Sequence, residues 1–236
     1  MIAHVVAAPV RDAVGRRTLR VAGAWLDVGG FVVSITGRGV PLMPNGIGLT
    51  GPRSGGVVRL DGATVWDPTL RLGPNPAARG AEILAALGAA IPDYDSARAV
   101  ATRDRGAAIP DDDLTRAVAT RDPERAAAAA AALAGRGPGL TPEGDDRLAA
   151  TAAVVAAGAW PEREAWLRAV VPADLRTRTT ALSATLLELA ARGQVAEPVH
   201  GLFGPHWRAA LERLLRIGHS TGPAYATAAA TAALLS

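Results

Sequence analysis

The chain contains no lysine and no cysteine, and these two gaps remove several classes of enzyme at once. Without cysteine there is no thiol nucleophile, disulfide or thiolate metal site, and without lysine there is no Schiff base and no phosphate-gripping lysine of a Walker loop. All 25 basic residues are therefore arginine, and against 22 acidic residues they leave a net charge of only +3. The sequence pI near 10.4 thus reflects guanidinium groups rather than a large positive excess. Those arginines are scattered and aromatics make up 4% of the chain, whereas a nucleic-acid binder concentrates arginines on one face with aromatics between them. No nucleic-acid partner is expected. No uninterrupted apolar run reaches the roughly 18 residues of a membrane span, so no membrane partner is expected either. The apolar stretch from Met1 to Val10 lacks a basic leader and a small-residue cleavage pattern; the expectation is a soluble, cytoplasmic protein.

With 49% hydrophobic and 20% charged residues, the chain is not disordered, and its length suits one compact unit with two lobes. Up to about Pro68 the apolar residues come in short runs: Ala3 to Val10, Leu19 to Val28, Phe31 to Ile35, Val57 to Leu60 and Ala63 to Trp66. Gly29-Gly30 and Asp61-Gly62 stand where hairpin turns would join neighbouring runs, and Pro41 to Gly46 is a further turn-rich connection. After Pro76 the text changes to alanine- and leucine-rich segments of helical length. Helices are predicted near Ala77–Ala90, Pro123–Ala134, Pro142–Ala157, Glu162–Val170, Ala173–Arg192, His206–Ile217 and Pro223–Leu235. The expected class is α+β: an N-terminal antiparallel β sheet or partial barrel, followed by a C-terminal α-helical bundle. Its expected parts are a β-rich lobe over 1–75, a helical connection over 76–134 and a helical lobe with the motifs over 135–236.

One internal repeat stands out. Residues 88–105 (GAAIPDYDSARAVATRDR) and 106–123 (GAAIPDDDLTRAVATRDP) are identical at 14 of 18 positions, too close for a diverged solenoid and typical of a recent tandem duplication. Such an insertion survives at an exposed connection, so no catalytic residue is expected in it. Its carboxylates Asp111, Asp112 and Asp113 read as solvated helix-start residues, with a cation site as the alternative.

The stretch Gly135-Arg-Gly-Pro-Gly-Leu-Thr-Pro-Glu-Gly-Asp-Asp146 leads into an almost wholly apolar helical run. Thr141 suits an N-cap and Pro142 the first helical position. Free amides and the helix dipole at such a start can hold an anionic oxygen. Asp145 and Asp146 would repel a phosphate unless Mg²⁺ bridges them or they take a ligand's amine or amide hydrogens. On spacing alone, acidic residues that complement the dipole are the simpler reading. A second segment of similar form, Gly218-His-Ser-Thr-Gly-Pro223, enters the last apolar helix. If both starts converge on one pocket, they supply donors and hydroxyls for a small dianion, with His219 the best acid–base candidate. A lone histidine is more often a capping or packing residue. Between the two lies Arg176-Thr-Arg-Thr-Thr-Ala-Leu-Ser183, where Thr179, Thr180 and Ser183 share one side of a predicted helix beside Arg178. Hydroxyls bonding back to helix carbonyls are the plainer alternative. No Gly-x-Ser-x-Gly elbow occurs.

GPGLTPEGDD, RTTALSATLLELAARG and GHSTG, in this order and at these separations, resemble the three motifs of the AllH-type family, which includes a subunit of oxamate carbamoyltransferase. The resemblance covers Gly135 to the C-terminus well and the region from Gly30 to Gly46 more weakly. It implies a subunit of a multi-subunit enzyme of purine or allantoin nitrogen salvage. That enzyme converts oxalurate and phosphate to oxamate and carbamoyl phosphate, so other enzyme subunits and a small anionic substrate are the implied partners. The site it implies has Asp145, Asp146 and His219 as catalytic residues. Asn45, Gly137, Gly139, Thr141, Gly144, Arg178, Thr179, Thr180, Ser183, Ser220 and Thr221 bind substrate, and Mg²⁺ on the two aspartates is the one cofactor considered. Asp145→Ala is expected to abolish binding without unfolding the protein. The chain departs from the family pattern at Glu143, where serine is usual, at Arg147, where an aromatic or apolar residue is usual, and at Ala224, where aspartate is usual. The alternative is a non-catalytic binding or scaffold subunit.

Overall fold

The computed structural model describes residues 1–15, 18–51, 56–90, 99–101, 108–110 and 112–236. The class is α+β: among the described residues, strands lie in the N-terminal region apart from one small pair, and from Pro76 onward the regular structure is mostly helical. The first strand, β1 (Ala3–Ala7), gives way at Ala8 to a short helix, α1 (Ala8–Val14), although the apolar run continues to Val10. Pro9 decides this: it lacks the N–H a ladder needs but fits the first turn of a helix. The run Leu19 to Val28 likewise divides into β2 (Thr18–Val21) and β3 (Trp25–Val28), which join different sheets. β3 turns through Gly29-Gly30, both at positive φ, into β4 (Phe31–Thr36) as an antiparallel hairpin.

A strand not expected from the sequence, β5 (Gly46–Leu49), follows the turn-rich connection. After it come β6 (Gly56–Arg59) and β7 (Thr64–Trp66). The main sheet has the order β3-β4-β5-β1-β7, and β2 pairs with β6 apart from it. Antiparallel pairing holds for β3–β4, β5–β1 and β2–β6. The pairs β4–β5 and β1–β7 are parallel, so the main sheet is mixed. Asp61-Gly62 is a turn but not a hairpin turn, because β6 and β7 belong to different sheets.

Alternation along β4 sends Val33 and Ile35 into a core with β1, α1, β2, β5 and β6, while Val32 faces the helices.

The helices are α2 (Pro76–Ala90), α3 (Asp113–Thr120), α4 (Pro123–Leu133), α5 (Glu143–Ala157), α6 (Arg163–Val170), α7 (Leu175–Arg178), α8 (Ala181–Ala190), α9 (Glu197–Gly201), α10 (Trp207–Leu215) and α11 (Thr221–Leu234). α5 and α11 are buried almost all round and form the centre of the second core. Small side chains let these helices approach closely: a Cβ on Gly80 of α2 would lie 2.4 Å from the Ala230 carbonyl oxygen of α11. The predicted helix Ala173–Arg192 is interrupted, since Thr179 is extended and divides α7 from α8. α1 and α9 lie outside the predicted helices, and α3 begins at the helix-start carboxylates Asp112 and Asp113.

The two copies of the repeat have different fates. Ala-Val-Ala is a strand, β8 (Ala99–Ala101), in the first copy, paired with β9 (Ala108–Pro110); in the second copy the same tripeptide lies inside α3. The second copy is thus no exposed insertion, because Leu114, Ala117 and Val118 enter the helical core. The copies differ at four positions: Tyr94, Ser96, Ala97 and Arg105 stand against Asp112, Leu114, Thr115 and Pro123. Each residue of the second set has a task. Asp112 caps α3 by accepting from Thr115 N and pairs with Arg147. Leu114 and Thr115 are buried, and Pro123 opens α4. Asp113 is exposed beside Arg116 and Arg125, and Asp111 lies outside the described residues.

Candidate functional site

The three motif segments meet at the start of α5. Glycine is required at each junction because a carbonyl oxygen of another segment occupies the place of a side chain. A Cβ would lie 2.1 Å from Arg178 O at Gly135, 2.0 Å from Leu133 O at Gly144 and 2.1 Å from Leu214 O at Gly222. This packing buries the first turn of α5, and two carboxylates with it: Asp145 is 1% exposed and Asp146 4%.

Asp145 is fully engaged. Gly135 N donates to its Oδ1 at 2.8 Å, and Ser183 Oγ donates to Oδ2 at 2.7 Å, together with the hydroxyl of Thr179. Thr179 reaches it from the break before α8 and Ser183 from the first turn of α8, so the four-residue spacing serves a junction rather than one helix face. Thr180 caps α8 by accepting from Ser183 N at 3.1 Å, and its hydroxyl donates to Leu140 O at 2.6 Å. Asp145 thus ties the glycine loop, α5 and α8 together. Asp145→Ala would remove the shared acceptor of three donors, so a loss of stability is predicted alongside the expected loss of binding.

Asp146 is the opposite case. Its Oδ2 is enclosed and has no hydrogen-bond partner. Burial pushes its pKa up to about 7; the hydrogen bond from Thr221 opposes this, and the charges of Asp145 and Glu143 add to it. The Thr221 hydroxyl stands 3.3 Å from that of Thr141, so the glycine loop and the start of α11 touch beside this carboxyl. One turn further along α11, burial and the charge of Asp146 raise the pKa of Tyr225 above its ordinary value. Tyr225 was absent from the sequence reading; its spacing of four from Thr221 is the signal that points to it.

The two helix starts do converge, but their amides are mostly taken. Gly144 N donates to Arg136 O, and Asp145 N and Asp146 N to Pro142 O; Gly222 N donates to Ile217 O, and Pro223 has no N–H. Thr141 is not the N-cap, which is Pro142, without a side-chain bond. Arg178 bonds Asp174 at 2.7 Å and so is held to its own helix. Arg147 is held by Asp112. Asn45 is buried in the sheet lobe, where Nδ2 donates to Val32 O at 2.8 Å and Oδ1 accepts from Ser34 at 3.2 Å. His219 is exposed on the turn before α11, and Ser220 makes no side-chain cap. Gly137 and Gly139 shape the exposed loop with positive φ. Among the described residues no group of three or more His, Asp or Glu is placed to hold a metal, and Asp145 has both oxygens engaged, which does not fit Mg²⁺ bridged between the aspartates. On the outer side of the loop, Arg136, Glu143, Gly144, Arg147 and Asp112 line a cavity of about 390 Å³.

A family model described as oxamate carbamoyltransferase subunit AllH matches residues 133–233. That span, somewhat under half of the chain, is similar to the AllH family. It contains all three motifs and every helix that meets at the two aspartates, so the resemblance read from the sequence holds over this part of the chain. The family name makes AllH a subunit of an oxamate carbamoyltransferase. No curated protein and no solved structure matches the chain. Among the described residues no helix is long and apolar enough to cross a membrane.

Proposed function

We propose that this chain is a subunit of a carbamoyltransferase-type enzyme of the oxamate carbamoyltransferase kind, and that a small anionic ligand sits where its three motifs meet. The ligand classes are those of oxalurate and phosphate on one side and oxamate and carbamoyl phosphate on the other. The observation that carries this reading is the meeting of Thr141, Asp146 and Thr221, from two separate motifs, around a buried carboxyl with an unmet hydrogen bond. Of the five buried side-chain atoms without a partner among the described residues, Asp146 Oδ2 is the one that lies where the motifs meet, and a strongly perturbed buried carboxyl there is the kind of group that functional sites contain.

A thermal-shift series with phosphate, carbamoyl phosphate, oxamate, oxalurate and Mg²⁺ tests it. A ligand at about a hundredfold over its Kd adds roughly 2.7 kcal/mol to a folded state that alone binds it. A clear shift with any of the carbamoyl-bearing compounds supports the reading. No shift, together with stoichiometric co-purification of other subunits, favours the non-catalytic scaffold role instead.

A further inference from the structure

Within the proposed site, the unmet demand is for hydrogen-bond donors. Four N–H groups at the two helix starts are committed to the chain's own carbonyls. Three arginines of the motif region are committed as well: Arg147 to Asp112, Arg178 to Asp174, and Arg176 to Glu188 and Gly30 O, while Arg136 lines the cavity on the outer side of the loop. Asp145 is filled by three donors yet still places its negative charge beside Asp146. What remains is one buried carboxylate oxygen with no partner, next to two hydroxyls in contact with each other. A phosphate or carboxylate would meet repulsion there, whereas an N–H group would satisfy the oxygen.

We infer that Asp146 is a specificity-determining residue that accepts a hydrogen bond from the N–H of an amide or ureido group, so that the site recognises the carbamoyl end of its ligand rather than the anionic end. This rests on the site proposed above and adds the orientation of the ligand in it. Thr221 bonds the carboxyl from its own side, and the Thr141 hydroxyl lies 3.3 Å from that of Thr221.

The discriminating pair of probes is oxamate and oxalate, alike in size but with an NH₂ in one where the other has an oxygen. Calorimetric titration of the full chain at pH 8 should show oxamate binding and oxalate binding at least tenfold more weakly, a tenfold ratio being about 1.4 kcal/mol. Asp146→Asn exchanges a charged acceptor for a neutral amide of the same shape; it should weaken oxamate roughly tenfold and narrow the preference over oxalate. Asp146→Leu, which has no acceptor, should abolish the preference, with circular dichroism and the melting temperature confirming that both variants fold. Equal binding of the two probes by the wild-type chain would overturn the orientation while leaving an anion site in place. Binding of neither overturns both the orientation and the site.

Discussion

Asp145 and Asp146 are neighbours in sequence and nearly equal in burial, yet they stand in opposite energetic positions. Three donors satisfy Asp145, and its replacement by alanine leaves a half-buried N–H and two hydroxyls without that acceptor. Asp145→Ala should cost about 3 kcal/mol or more, measured as a lower midpoint in urea. Asp146 has an ordinary pKa of 3.8 in the unfolded chain and about 7 in the folded one. Between these values the folded state binds more protons, so this residue makes stability fall as pH rises from about 4 to about 7, and level off above. Asp146→Asn should remove the fall and gain on the order of a few kcal/mol at pH 8 while changing little at pH 4. Melting temperatures of both proteins across that range decide it; parallel curves would show that Asp146 is not the titrating group. The sequence made both aspartates visible as a pair. It could not rank them, because what separates them is which hydroxyls arrive from α8 and α11.

At the scale of elements, the duplicated segment provides its own control. Removing residues 88–105 or residues 106–123 yields chains of equal length that differ only at the four non-identical positions. In the first, Asp112, Leu114, Thr115 and Pro123 keep their places; in the second, Tyr94, Ser96, Ala97 and Arg105 replace a cap, a buried leucine, a buried threonine and a helix-opening proline. The first deletion should melt within a few degrees of the full chain, and the second should lose about 3 kcal/mol or more. Equal stability of the two would mean that α3 contributes little to the core. Helix ends marked by proline, such as those of α2 and α4, were legible to within a residue or so. The break at Thr179 was not, because the periodicity runs on through it and the interruption is enforced by a bond to Asp145, 34 positions away.

Across the whole molecule, two cores are held together through β4 and α8. Val32 packs on Leu182 and Leu186, Val32 N donates to Thr185 Oγ1 at 3.3 Å, and Arg176 reaches back to Gly30 O at 2.8 Å. The parallel pairs of the sheet were not legible, since turn signals report only the pairing of consecutive strands. α2 brings the chain back from the sheet to the helices, and its seat on α11 depends on Gly80. Gly80→Ala should cost about 1–3 kcal/mol despite alanine's better helix propensity, because its Cβ would stand 2.4 Å from a backbone oxygen; an unchanged melting temperature would refute the tight crossing. The same contact logic governs Gly135, Gly144 and Gly222. These signature residues are spelled by the crossing of backbones, so a descendant that had lost all chemistry would keep the spelling as long as it kept the architecture. The glycines of the motif report shape; evidence of a working enzyme has to come from Asp146, Thr141 and Thr221, where no backbone dictates the letter.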